Sequence, residues 1–145
     1  MHSIEAFRGT RALTTTAAPG RRRLRSALAV VGGLISTFVV TTAADIGFHT
    51  LGVFPPLGQR MADSLFVLAL AYRIPFNVAG SYVAARFAPA APMRHALALG
   101  VVGVIISTLG AVTMWQFGPA WYSLANIAIA LPCAWLGGRL RSQPG

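Results

Sequence analysis

The chain has 145 residues, enough for one domain, with 55% apolar and only 10% charged residues. Its mean hydropathy is +0.64, whereas a soluble domain carries about 25% charged residues, so too little charge is present to clothe a water-facing surface. The net charge of +9 does not point to nucleic acid, because the arginines are sorted into particular segments rather than spread over a phosphate-binding face, and the single cysteine, Cys133, excludes an internal disulfide or a multi-thiolate metal site.

Residues 1–25 are polar and basic, with Arg8, Arg11, Arg21, Arg22, Arg23 and Arg25 and a Pro19–Gly20 pair ahead of the last cluster. They are expected to form a disordered cytoplasmic tail. Arg21, Arg22, Arg23 and Arg25 would then touch anionic lipid headgroups, at about 1 kcal/mol per residue near the surface. The first apolar run, Ser26–Ala44, extends to about residue 48 and is bounded by Pro55–Pro56. A basic start, an apolar stretch and small residues before Asp45 also resemble a signal peptide, and the paired arginines resemble a twin-arginine signal. A signal h-region usually has about 7–15 residues; this run is longer and reads as a retained span. Cleavage would leave the other helices in unchanged orientation.

The second run, Ser64–Ala85, is interrupted by Arg73 and Pro75; the third is His95–Trp115 and the fourth Ala120–Gly138. About 20 residues cross about 30 Å of hydrocarbon, so helices are expected at about 26–48, 64–86, 94–115 and 119–139. The runs are continuous rather than alternating, and a barrel needs at least about eight strands. The expected fold is therefore all-α, a membrane-embedded four-helix bundle over residues 26–141.

Ten of the twelve arginines fall in the tail, in the 86–94 connection (Arg86, Arg94) and at the C-terminus (Arg139, Arg141). The other two connections carry only Arg60, balanced by Asp63, and the uncharged Gln116–Pro119. The positive-inside rule then places both termini in the cytoplasm. Trp115, Phe117, Trp121 and Tyr122 would ring the outer interface, and Trp135, Tyr82 and Phe87 the inner one.

Each run carries a stripe of small or polar residues at helical spacing: Gly33–Thr37–Thr41–Asp45, Arg73–Asn77–Gly80–Ala84, Gly100–Gly103–Ser107–Ala111 and Asn126–Ala130–Cys133–Gly137. In lipid, helices pack through such faces, so the stripes read first as the seam of the bundle.

Arg73 stands nine residues past Ser64, about 14 Å below the outer surface. Insertion scales assign about 2.5–3.5 kcal/mol to an arginine at that depth, so it requires a partner. Asp63 is ten residues away on the same helix, whereas Asp45 lies on the neighbouring antiparallel helix, within reach of a long side chain leaning outwards. Ser107, Thr108 and Asn126 sit at a similar depth, and Pro75 frees a carbonyl near Ala71. Asp45, Arg73, Asn77, Ser107 and Asn126 form the candidate intramembrane polar site, the plainer alternative being an Asp45–Arg73 pair that only sets helix register. His49 and His95 fall at opposite membrane surfaces and cannot share a metal or haem, and Cys133 reads as a packing residue. Three acidic residues leave little for general acid–base catalysis.

Ala-Tyr-Arg at 71–73, Ala-Arg-Phe-Ala-Pro at 85–89, Pro-Met-Arg-His at 92–95, Gly-Pro-Ala-Trp-Tyr at 118–122 and Leu-Gly-Gly-Arg-Leu at 136–140 resemble segments of uncharacterised small bacterial four-helix integral membrane proteins. That resemblance covers about half the chain and implies no activity. Small multidrug-resistance pumps carry a membrane-embedded Glu in the first helix, where this chain has only Asp45 near the outer end; the Thr-rich, Asn-containing signature of fluoride channels is not found. The expected function is that of a non-enzymatic accessory or assembly subunit of a bacterial inner membrane, needing no cofactor or metal and binding no nucleic acid. Its partners would be the lipid bilayer, anionic lipids and either copies of itself or a larger membrane complex. The alternative is a small oligomeric transporter or channel built on the Asp45–Arg73 layer.

Overall fold

The computed structural model describes residues 19–56 and 58–143; of the tail expected over residues 1–25, residues 1–18 lie outside them. Four helices follow one another: α1 Pro19–Thr50, α2 Asp63–Phe87, α3 Pro92–Met114 and α4 Ala120–Ser142. All four are long and apolar enough to cross a membrane.

α1 begins seven residues earlier than expected, so Arg21, Arg22, Arg23 and Arg25 belong to a helix and not to the tail. Pro19 opens it, where the missing N–H and fixed φ of proline do no harm, and Arg and Leu are strong helix formers. Its 32 residues reach about 48 Å at 1.5 Å each. That exceeds the hydrocarbon thickness by about three turns, and the arginines occupy the excess.

The end of α1 is a Schellman stop. Gly52 adopts φ 71°, its N–H donates to the His49 carbonyl, and the Val53 N–H reaches back to the Phe48 carbonyl. The turned chain folds Phe54 onto Phe48 and His49, at centroid distances of 5.2 and 5.5 Å, and buries it. A Cβ at Gly52 meets open space, so only the backbone conformation resists substitution. Gly52→Ala is expected to cost about 1–2 kcal/mol, read as a lower thermal unfolding midpoint in detergent; an unchanged midpoint would contradict this cap.

The α2–α3 connection is tight. Ala88 is extended before Pro89, and Ala91 takes the left-handed conformation, φ 48°, immediately before Pro92 opens α3. Pro75 lies within α2 and Pro132 within α4.

Neighbouring contacts define the topology. Gly33 of α1 meets Gly80 and Ala84 of α2, while Asp45 meets Tyr72 and Arg73, so these helices run antiparallel. Gly100 meets Ala134, and Gly138 meets Met93 and Ala96, which makes α3 and α4 antiparallel too. Phe66 packs on Tyr122 and Gly137 on Ser81, so α2 and α4 are parallel. α2 touches every other helix, whereas α1 and α4 do not touch.

Close approach is made by small residues. A Cβ on Gly33 would lie 2.6 Å from the Gly80 carbonyl oxygen, one on Gly100 2.6 Å from the Ala134 Cβ, and one on Gly137 2.5 Å from the Val78 carbonyl oxygen. Ala84, Ala96 and Ala134 are fully enclosed. The glycine and alanine positions of the four small-residue stripes around Gly33, Gly80, Gly100 and Gly137 are thus the packing seam. No more than 22% of any helix's apolar window is buried inside the bundle. Ile35, Phe38, Leu109 and Val112 are among the large side chains left facing outwards, a surface that water would not tolerate and lipid would.

Candidate functional site

The up-down-up-down course gathers Arg21–Arg25, Arg86, Arg94, Arg139 and Arg141 at one end of the bundle. The other end carries the α1–α2 and α3–α4 connections, and there a cavity of about 750 Å³ opens among the four helices, with Phe54, Met61 and Phe117 of the connections also in its lining. It exists because α1 and α4 never meet. The volume lies within the range of small-molecule sites, about 300–1,000 Å³.

Its polar wall starts with Asp45. The Arg73 Nη2 donates to Asp45 Oδ2 at 3.1 Å, and the Tyr72 hydroxyl donates to Oδ1. Both carboxylate oxygens are therefore engaged, and the acid and the guanidinium together carry no net charge. One helical turn beyond Asp45, His49 lines the same cavity. Ser107 comes from α3, and Ser123 and Asn126 from α4; Asn126 Nδ2 donates to the Tyr122 carbonyl. Phe66, packed on Tyr122 at 4.9 Å, closes one side. Arg73 Nε and His49 Nδ1 are enclosed and have no hydrogen-bond partner. A polar atom left so costs about 1–3 kcal/mol, which water or a ligand group in the cavity would recover.

Of the residues picked out in the sequence, Asp45, Arg73, Ser107 and Asn126 share this cavity. Asn77 stands one turn further along α2 and is not in the wall. Thr108 is exposed and turned back onto its own helix, its hydroxyl donating to the Val104 carbonyl at 2.8 Å. Ala71 and Pro75 are also exposed, on the face of α2 turned away from Ala69 and Arg73. Pro75 and Ala71, whose carbonyl it frees, are thus outside the cavity wall. Arg21, Arg22, Arg23 and Arg25 lie exposed at the opposite end.

Two functional candidates were missed. His49 had a readable signal, because it is four residues from Asp45 on the same helical face. Tyr72 had none beyond adjacency to Arg73, since only the crossing of α1 over α2 decides which neighbour of the arginine meets the acid. Among the described residues, no three of His, Cys, Asp and Glu come together as a metal site. The chain matches no family model, no curated protein and no solved structure.

Proposed function

We propose that this chain is a small multi-pass inner-membrane protein, with both termini in the cytoplasm, that takes a small amphipathic solute into a cavity open to the outer leaflet side. One observation carries the reading. Asp45 and Arg73, with side chains 34% and 31% exposed, stand in the wall of a 750 Å³ cavity instead of being sealed between helices. A pair whose only role is helix register needs no such space beside it.

The lining suggests the solute. Phe54, Phe66, Phe117 and Tyr122 suit an apolar or aromatic body. The unpartnered Arg73 N–H suits an acceptor such as a carboxylate, sulfonate or carbonyl. The wall ends at Arg73, Ser107 and Asn126. Beyond them the Gly33–Gly80, Gly100–Ala134 and Gly137–Ser81 contacts close the bundle, so the cavity is a vestibule and passage requires helix movement. α1 is the helix to move, being held mainly by α2.

The test uses naphthalene-2-sulfonate, which stays ionised and has an aromatic body. In a Cys133→Ser background, a cysteine at Ser107 should react with a membrane-impermeant thiol reagent applied from outside, and the sulfonate should slow that reaction. Proteoliposomes should take the probe up faster than empty vesicles, and Arg73→Gln should remove at least tenfold of the difference, as expected for the loss of about 1.4 kcal/mol. Labelling only from the inside would refute the orientation. Labelling from outside with neither protection nor flux would refute the solute.

A second reading, a subunit assembling with copies of itself or a larger complex, is favoured by α1. Gly32 there has open space beyond its Cα atom, flanked by outward Ile35 and Phe38. Native mass spectrometry showing a stable oligomer would support it.

A further inference from the structure

A second cavity, about 450 Å³, lies at the arginine-rich end. α1 contributes Arg22 and Ser26, one turn apart on one face; α3 contributes Arg94 and His95; the strained Ala91 turn closes the rim. Among the described residues no acidic one lines it, neither α1 nor α3 has one in its first turn, and Asp45 and Asp63 are at the far end of the bundle. Arg22 and Arg94, both exposed, thus border one space without a counter-charge among the described residues, which favours a bound anion. The His95 Nδ1 lies 3.2 Å from the Ala91 carbonyl, which can only accept, so Nδ1 carries the hydrogen and Nε2 is free of that bond.

The floor differs from the rim. Ala27, Val30 and Ala98 are apolar and sit on the membrane-spanning parts of α1 and α3. A charged rim above an apolar floor, at the level where an apolar run begins, matches a molecule with a phosphate head and a hydrocarbon tail. Of the four clustered arginines only Arg22 enters the wall; Arg21, Arg23 and Arg25 do not. We propose that Arg22, Arg94, Ser26 and His95 form a site for a phosphate group, that of an anionic phospholipid whose acyl chain lies along Val30 and Ala98.

The assignment separates residues that net charge cannot. Full-length protein in a non-ionic detergent would be incubated with phosphatidylglycerol, phosphatidylcholine or inorganic phosphate, and retained lipid would be counted by native mass spectrometry. Arg22→Gln and Arg94→Gln should each lower phosphatidylglycerol retention about tenfold, the effect of losing one charge-assisted hydrogen bond. Arg23→Gln, removing the same charge one residue away, should change it less than about twofold. Unfolding midpoints of the three variants should agree, and Arg22→Lys should restore most of the retention. Equal losses in all three variants would overturn the site in favour of diffuse attraction. Displacement of the lipid by equimolar inorganic phosphate would overturn the lipid source, and equal retention of phosphatidylcholine would overturn the requirement for a net anionic headgroup.

Discussion

Gly137→Leu is expected to leave little folded protein in the membrane fraction, whereas the same change at Gly110 should be tolerated. A Cβ at residue 137 would stand 2.5 Å from the Val78 carbonyl oxygen, 2.7 Å from the Ser81 Cβ and 2.8 Å from the Tyr82 amide nitrogen. Two of these are backbone atoms in the middle of α2 and cannot rotate away. Overpacking a well-filled contact costs about 1–3 kcal/mol for added methylenes, and a whole leucine side chain here must push α4 off α2. Since α2 is the helix that all others touch, a displacement at the α2–α4 seam disturbs the helix around which the bundle is arranged. Gly110 has no atom within 4 Å of its Cβ direction. Thermal unfolding in detergent and the yield of monodisperse protein measure the contrast, and a Gly137→Leu variant as stable as wild type would mean that the two helices do not meet there.

The second large effect concerns Asp45 and Arg73, and its sign reverses in the double variant. Asp45→Leu should destabilise the protein by about 1–3 kcal/mol. Breaking a fully buried pair costs about 3–5 kcal/mol, but a third of each side chain faces the cavity, so the remaining charge can draw water. Arg73→Met should cost less, because Tyr72 still donates to the carboxylate. The double variant Asp45→Leu/Arg73→Met should be more stable than Asp45→Leu alone, since it removes the uncompensated guanidinium. A double-mutant cycle with additive effects would show that the ion pair contributes no coupling, and with it the geometry of the proposed vestibule would fail. The solute assays should move differently: Ser123→Ala, in the wall but outside the pair, should leave stability within about 0.5 kcal/mol of wild type.

Much of the architecture was legible beforehand. Runs of about 20 apolar residues bounded by Pro, Gly and Arg can cross a bilayer in one way only, because hydrocarbon leaves backbone amides no partner but their own helix. The small-residue stripes named Gly33, Gly80, Gly100 and Gly137 as seam positions, since a face bare of side chains is where backbones can approach. The start of α1 was missed for a local reason. Six arginines among polar residues read as solvated chain, yet Arg has high helix propensity, and Pro19 at the first position begins the helix before the lipid does.

The polar layer divides along the same line. That Arg73 needed a partner, and that Asp45 was the acid within reach, followed from composition and depth, because charge in hydrocarbon is costly wherever the helices sit. Which residues join them depended on the exact rotation and axial offset of each helix, which a stripe of small residues fixes only to within one face. Tertiary packing alone therefore brought Tyr72 to the carboxylate, turned Thr108 and Ala71 outwards, and left Asn77 behind. It alone also held α1 away from α4. The cavity is that separation, set by side-chain volumes at contacts distant along the chain.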